Sequence, residues 1–230
     1  MEHKPLSHQL IRNVAWNVFG QFWMVVIGFF ATPYIVRTLQ VNLYGLYSLL
    51  AVIIGYFSFL QFGLGTAAVK YIAQYYAARE DENIRRTFWA CLIVYSLMGA
   101  LGTLAIAANS RFIAERILNI PAEMERVAVF VIAAGSLGFL VTMLMGAASS
   151  VLQAVGRFDI LNRIGIILGT TQIGMTLLLL KTGFSLREIV AGNIVVQSAG
   201  VVFFFKYTFR SLPFLSRPVW DAACLRRLLR

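Results

Sequence analysis

Catalysis and ion coupling need ionisable groups that converge on one point, and this 230-residue chain keeps them apart. Its two histidines, His3 and His8, lie in the N-terminal tail. Its ten carboxylates, Glu80, Asp81, Glu82, Glu115 and Asp159 among them, all fall in tails or between long apolar stretches. There is no phosphate-cradling G-x-x-x-x-G-K-[ST], no H-E-x-x-H and no G-x-S-x-G. Cys91 and Cys224 have neither metal-ligand nor disulfide spacing and read as free thiols. These absences argue against an enzyme and against a bound cofactor or metal, and no carboxylate sits mid-span where it could relay a proton or sodium ion.

What the chain carries instead is neutral polarity at helical spacing. Asn13, Asn17, Gln21, Met24, Gly28 and Thr32 follow one another at three- and four-residue steps. Ser96, Gly99 and Thr103 repeat the pattern, as do Gly135, Gly138, Thr142 and Gly146. So do Asn162, Gly165, Gly169, Gln172 and Thr176, and then Asn193, Gln197 and Gly200. In lipid an unsatisfied amide is costly, so each stripe must face protein or water. Two readings stand side by side: helices packed closely through small residues, or one hydrated cavity shared by several helices.

The elements that position these stripes are apolar spans. The chain is 59% hydrophobic and 13% charged, with mean hydropathy +0.75. Residues 14–36 run for twenty-three residues without a charge between Arg12 and Arg37, enough at about 1.5 Å per residue to cross a hydrocarbon core of about 30 Å. That run exceeds the apolar core of a cleaved signal and has no small-x-small cleavage pattern, so it reads as an uncleaved anchor. Further spans are expected at 44–64, 88–108, 127–150, 164–180 and 189–205. The last two are seventeen residues each and need flanking Arg163, Lys181, Arg187 and Lys206 to snorkel. The expected fold is all-α and polytopic: a six-helix transmembrane lobe over residues 1–205, then a basic tail or linker over 206–230. Residues 65–86 suit a helix leaving the membrane into an interfacial loop. Tyr44, Tyr47, Trp89 and Tyr207, near span ends, read as interfacial anchors.

The net charge of +10 follows the same topology. Fourteen Lys and Arg lie in the N-terminus, the second and fourth connections and the tail, against six on the other side, Arg37, Arg111, Arg116, Arg126, Lys181 and Arg187. The positive-inside rule then puts both termini in the cytoplasm, with anionic lipid rather than nucleic acid as the partner of the basic excess.

Three stretches resemble the polysaccharide transporter family, the Wzx-type flippases of the multidrug, oligosaccharidyl-lipid and polysaccharide exporter superfamily. They are P-Y-I-V-R-T-L-Q-V-N-L-Y-G-L-Y at Pro33 to Tyr47, Q-F-G-L-G-T-A-A-V-K-Y-I-A at Gln61 to Ala73, and L-Q-A-V-G-R-F-D-I-L-N-R-I at Leu152 to Ile164. With the hydropathy pattern, the resemblance runs over essentially the whole chain. Two departures stand out: Gln40 replaces a common Gly, and Gln61 replaces a frequent Asp. The family builds two lobes from twelve to fourteen helices, and this chain resembles only the N-terminal six, so a truncated chain, a split gene product or a half that pairs with another is expected.

The resemblance implies a bacterial inner-membrane flippase lobe for an undecaprenyl-pyrophosphate-linked oligosaccharide, feeding O-antigen, capsule or exopolysaccharide assembly by alternating access. A second six-helix lobe and a glycan polymerase are the implied protein partners. On that reading Asn17, Gln21, Gln61, Gln172, Asn193 and Gln197 line the cavity, and Arg37 and Lys70 attract phosphate. The alternatives are a drug or toxin extrusion antiporter of the same superfamily and a non-transporting scaffold of a glycan assembly complex.

Overall fold

The computed structural model describes residues 6–58 and 60–219, with side chains described from Val18 onward apart from residues 54, 56–58, 60–62 and 64. Every regular element among the described residues is helical. The order is α1 Leu6–Ser58, α2 Leu60–Ala78, α3 Asp81–Ala108, α4 Ser110–Phe112 running into a π-turn at Ile113–Ile117, α5 Glu125–Gly135, α6 Leu137–Ala154, α7 Phe158–Lys181 and α8 Leu186–Ser211, with a closing 3-10 turn at Pro213–Ser216.

Five stretches among the described residues are long and apolar enough to cross a membrane: Val18–Ile53, Asp81–Ala108, Glu125–Ala154, Phe158–Lys181 and Leu186–Ser211. The first holds two spans. On a straight helix Met24 and Tyr47 would lie about 35 Å apart, yet they line the same hollow. The chain doubles back at Gln40, whose φ of 63° and ψ of 163° interrupt the helix. That backbone region is nearly reserved for glycine, because a Cβ there crowds the carbonyls. One arm of α1, residues 6–39, therefore runs antiparallel to the other, residues 41–58, and the expected six spans result. Pro33 sits inside the first arm, where it removes one helical N–H donor.

The helices outrun the charge-free windows. The fifth and sixth spans are 24 and 26 residues long instead of seventeen. Lys181 and Arg187 occupy end turns while Arg163 and Lys206 lie one turn further in, since a basic side chain near a helix end can reach water while its backbone stays helical. The sixth helix also takes Lys206 to Ser211 away from the expected tail, and residues 220–230, with the basic end of that tail, lie outside the described residues. Between the second and third spans there is no loop: α2 stops at Ala78, Arg79 turns with φ 57° and α3 begins at Asp81. Gly156 at φ 73° and Gly183 at φ 80° close α6 and α7 in the left-handed conformation that ends helices. Ser185 and Glu188 cap α8 reciprocally.

Helix α6 lies at the centre, against α2, α3 and α8, while α7 packs on α8 and α1 on α7. Ala147, Ala148, Val151 and Leu152 of α6 are fully buried. At one end of the bundle Ile72, Ile84, Phe88, Val151 and Leu215 form a cluster, sealed by a hydrogen bond from the Trp89 indole to the Leu215 carbonyl at 3.0 Å. Trp89 is thus a clasp on the chain after α8 and only partly an interfacial residue. At the other end Ile35, Leu39 and Leu46 from the two arms of α1 pack with Ile132, Leu180, Leu186 and Ile189.

Candidate polar cavity

Two small hollows open between the arms of α1, the junction of α5 and α6, and helices α7 and α8. One, of about 220 Å³, is bounded by Tyr47, Leu50, Gly135, Gly138, Gln172, Asn193 and Gln197 among others. Its neighbour, of about 190 Å³, is bounded by Met24, Ile35, Gly169, Gln172 and Thr176, and again by Tyr47. Because Tyr47 and Gln172 border both, the two form one trough divided by those side chains. Such a space holds several waters at about 30 Å³ each, and its walls offer the polar partners they need.

Each wall has a local cause. A Cβ on Gly135 would meet the Leu50 side chain at 2.6 Å, so glycine lets the second arm of α1 come close. A Cβ on Gly169 would meet Met24, which seats the first arm on α7. At the adjacent residues the Trp23 indole donates to Thr170 Oγ1 at 2.9 Å and holds the same pair together. Gln172 and Thr176 lie one turn apart on α7, as Asn193 and Gln197 do on α8, so four polar side chains come from two facing stripes.

At the centre is Asn193, which is 6% exposed. Its amide donates to Tyr47 Oη at 3.3 Å and to Thr176 Oγ1 at 3.4 Å. Thr176 Oγ1 in turn donates to the Gln172 backbone carbonyl at 2.9 Å. The bonds to Asn193 are longer than the ordinary range of about 2.7–3.2 Å, so the network leaves hydrogen-bonding capacity for water or for a polar ligand. The residues that line the trough include no carboxylate, histidine or cation, and no group of metal ligands occurs among the described residues. Chemically this is a neutral donor-acceptor surface, suited to hydroxyls and amides.

The structure brings together three of the residues singled out from the sequence, Gln172, Asn193 and Gln197. Gln21 is exposed on α1 and borders neither hollow; the α1 face turned to α7 is held by Gly20, Trp23 and Met24. Arg37 and Lys70 are exposed, at the turn before Gln40 and on the outer side of α2, where the Lys70 ammonium lies 5.9 Å from the Tyr71 ring centroid. Neither cation points into the trough. Asn17 and Gln61 lie outside the residues whose side chains are described. Tyr47 and Thr176 complete the set. The reading of Tyr47 as an interfacial anchor is corrected: the Gln40 reversal carries it inside, against Asn193.

The third-span stripe packs helices. A Cβ on Gly99 would meet Leu140 at 2.8 Å, one on Gly102 would meet the Phe139 ring, and the Thr103 hydroxyl donates to the Ser136 carbonyl at 2.9 Å. Gly28 and Gly165 have open space beside them.

Comparison with known proteins agrees with this architecture. The family model described as polysaccharide biosynthesis protein matches residues 10–219. The uncharacterized membrane protein EpsK of Bacillus subtilis is 30% identical over 131 residues, which are 56% of this chain and 24% of that protein. Among solved structures, an inward-facing multidrug resistance MATE family transporter of the MOP superfamily superposes with a TM-score of 0.66 at 16% identity, over 86% of this chain and 47% of that one. The chain therefore spans about a quarter of the curated relative and about half of the solved transporter.

Proposed function

Because the chain belongs to the polysaccharide biosynthesis protein family of membrane transporters, we propose that it forms one lobe of a flippase for lipid-linked oligosaccharide. The observation that carries this reading is the neutral trough built by Tyr47, Gln172, Thr176, Asn193 and Gln197 from three separate spans. Amides and hydroxyls exchange hydrogen bonds with sugar hydroxyls at little net cost, so a glycan can be held and released. A trough without charge holds no fixed counter-ion that would trap the cargo.

In this reading the sugar occupies the trough, the isoprenoid tail stays toward the bilayer and a second lobe closes the cavity from the exposed side of α1. Along that side Phe29 and Phe30 are 73% and 74% exposed. Alternating access then amounts to rocking one lobe against the other. The basic excess supports cytoplasmic termini, and this reading takes the membrane to be the bacterial inner membrane, where an undecaprenyl-pyrophosphate carrier and a glycan polymerase would be its partners.

The test is glycan export in a strain deleted for this gene, complemented in its native gene context. Asn193→Ala combined with Gln197→Ala is expected to lower surface polysaccharide at least tenfold with the protein still in the membrane at wild-type amount. Unchanged export would refute the site. Drug or toxin extrusion is the second reading, for which the MATE-like fold speaks; ion-dependent efflux of a cationic dye with glycan export unaffected would establish it instead.

A further inference from the structure

A second polar hollow lies away from the trough, at the end of the bundle where α7 begins and α8 ends. It measures about 530 Å³, within the range of about 300–1,000 Å³ typical of small-molecule sites. Three guanidinium groups border it: Arg157 at the start of α7, Arg163 in its second turn and Arg210 in the last turn of α8. A single carboxylate, Asp159, stands among them and is engaged by Arg157 Nε at 3.3 Å. Among the residues that border the hollow, three guanidinium groups stand beside one carboxylate. The first turn of α7 adds the positive end of a 24-residue helix.

The walls change character along the helix axes. Next to the arginines stand the hydroxyls of Ser211 and Tyr207, and one turn further into the bundle stands Phe203; on α7 Arg163 gives way to Ile167. Ile167 is 63% exposed and Phe203 50% exposed, so the hollow opens sideways along an apolar channel. A cationic head with a lateral apolar channel has the shape and polarity of an amphiphile. It does not match a free anion, which would gain nothing from the channel, or a sugar, which would not need three arginines.

We propose that this groove between α7 and α8 binds the phosphate headgroup of an anionic membrane phospholipid, with one acyl chain lying over Ile167 and Phe203. The site is separate from the glycan trough and does not depend on what that trough carries. Arg163 and Arg210 hold the phosphate as charge-assisted donors, Ser211 and Tyr207 add neutral donors, and Arg157, tied to Asp159, closes the outer rim.

The experiment is native mass spectrometry of the full chain released from nanodiscs of equal phosphatidylglycerol and phosphatidylcholine. Wild type should retain phosphatidylglycerol at least fivefold over phosphatidylcholine. Arg163→Gln with Arg210→Gln should abolish the preference, the Lys counterparts should keep part of it, and Arg217→Gln, at the same end but outside the groove, should leave it intact. The single change Arg210→Gln, with its melting point checked, replaces the double variant if that does not fold. Equal retention of both lipids by wild type, or an unchanged preference in the Gln variants, overturns the proposal. So does release of the lipid by millimolar inorganic phosphate, which would assign the groove to a soluble anion.

Discussion

Two seams run through the bundle, and from sequence they look alike. Between α3 and α6 the seam is dry: Leu140 and Phe139 fill the spaces over Gly99 and Gly102, and the Thr103 hydroxyl is spent on the Ser136 carbonyl. Between α7, α8 and the arms of α1 the seam is open and polar. Both begin as stripes of small and neutral polar residues. The difference lies in which polar residues they are. Hydroxyls satisfy themselves on their own helix, as Ser96 does on the Leu92 carbonyl at 2.7 Å and Thr142 on the Gly138 carbonyl at 2.7 Å. A carboxamide has two donors and an acceptor and cannot meet all of them within one turn, so Asn193, Gln172 and Gln197 hold space open for partners. Glycine and hydroxyl groups border both seams, and what distinguishes the open one is the amides of Gln172, Asn193 and Gln197.

That contrast can be broken at several points. The largest effect is expected from overfilling the dry seam. Gly102→Leu drives a side chain into the Phe139 ring and should lower stability by about 3 kcal/mol, read as a shift in thermal or denaturant unfolding in lipid-detergent micelles. The matching change in the open seam, Gln197→Leu, should move stability by less than about 1 kcal/mol, because it enters existing space, while it reduces transport. Equal stability losses would erase the distinction between the seams.

The turn that brings the two arms of α1 to the open seam is expected to respond in the opposite direction. Gln40→Gly removes a Cβ from a backbone region that costs about 1–3 kcal/mol for other residues, so it should raise stability by at least about 1 kcal/mol in the same assay. In the dry seam Thr103→Val deletes one buried hydrogen bond at nearly constant volume and should cost about 1 kcal/mol. The smallest effect lies outside both seams. The Glu115 carboxyl is held below its ordinary value, first by the hydrogen bond from Arg111 at 2.6 Å and then by the charge of that residue. A folded-state value below the unfolded one means that the contribution is complete above about pH 4.3 and fades as pH falls through the lowered folded value. Arg111→Ala should flatten that acid-side loss, seen as melting temperatures of variant and wild type converging below pH 4.

The spans, their number and three of the six amides, Gln172, Asn193 and Gln197, were legible because membrane crossing imposes long apolar runs and helical spacing. Three kinds of feature were not. The helix ends were set too short by charge-free windows, since Arg163 and Lys206 extend a helix as well as end it. The reversal at Gln40 coincided with a residue that does not favour it, so its conformation, and with it the inward place of Tyr47, could not be read from residue type. Nor does the spacing of a single stripe reveal whether a neighbour fills it. Gly99 and Gly135 have the same local sequence character, and only the facing side chains, Leu140 in one case and Leu50 beside a polar trough in the other, separate them.

The junction at Ser136 has a mechanical consequence. Its carbonyl accepts from the Phe139 amide at 2.9 Å in 3-10 fashion as well as from Thr103, so the fourth span passes from α5 to α6 through one tightened turn tied to α3. Gly135 and Gly138 flank that turn and face the trough. The wall of the trough at Gly135 and Gly138 is thereby anchored to the third span, so the closed seam fixes one side of the open one.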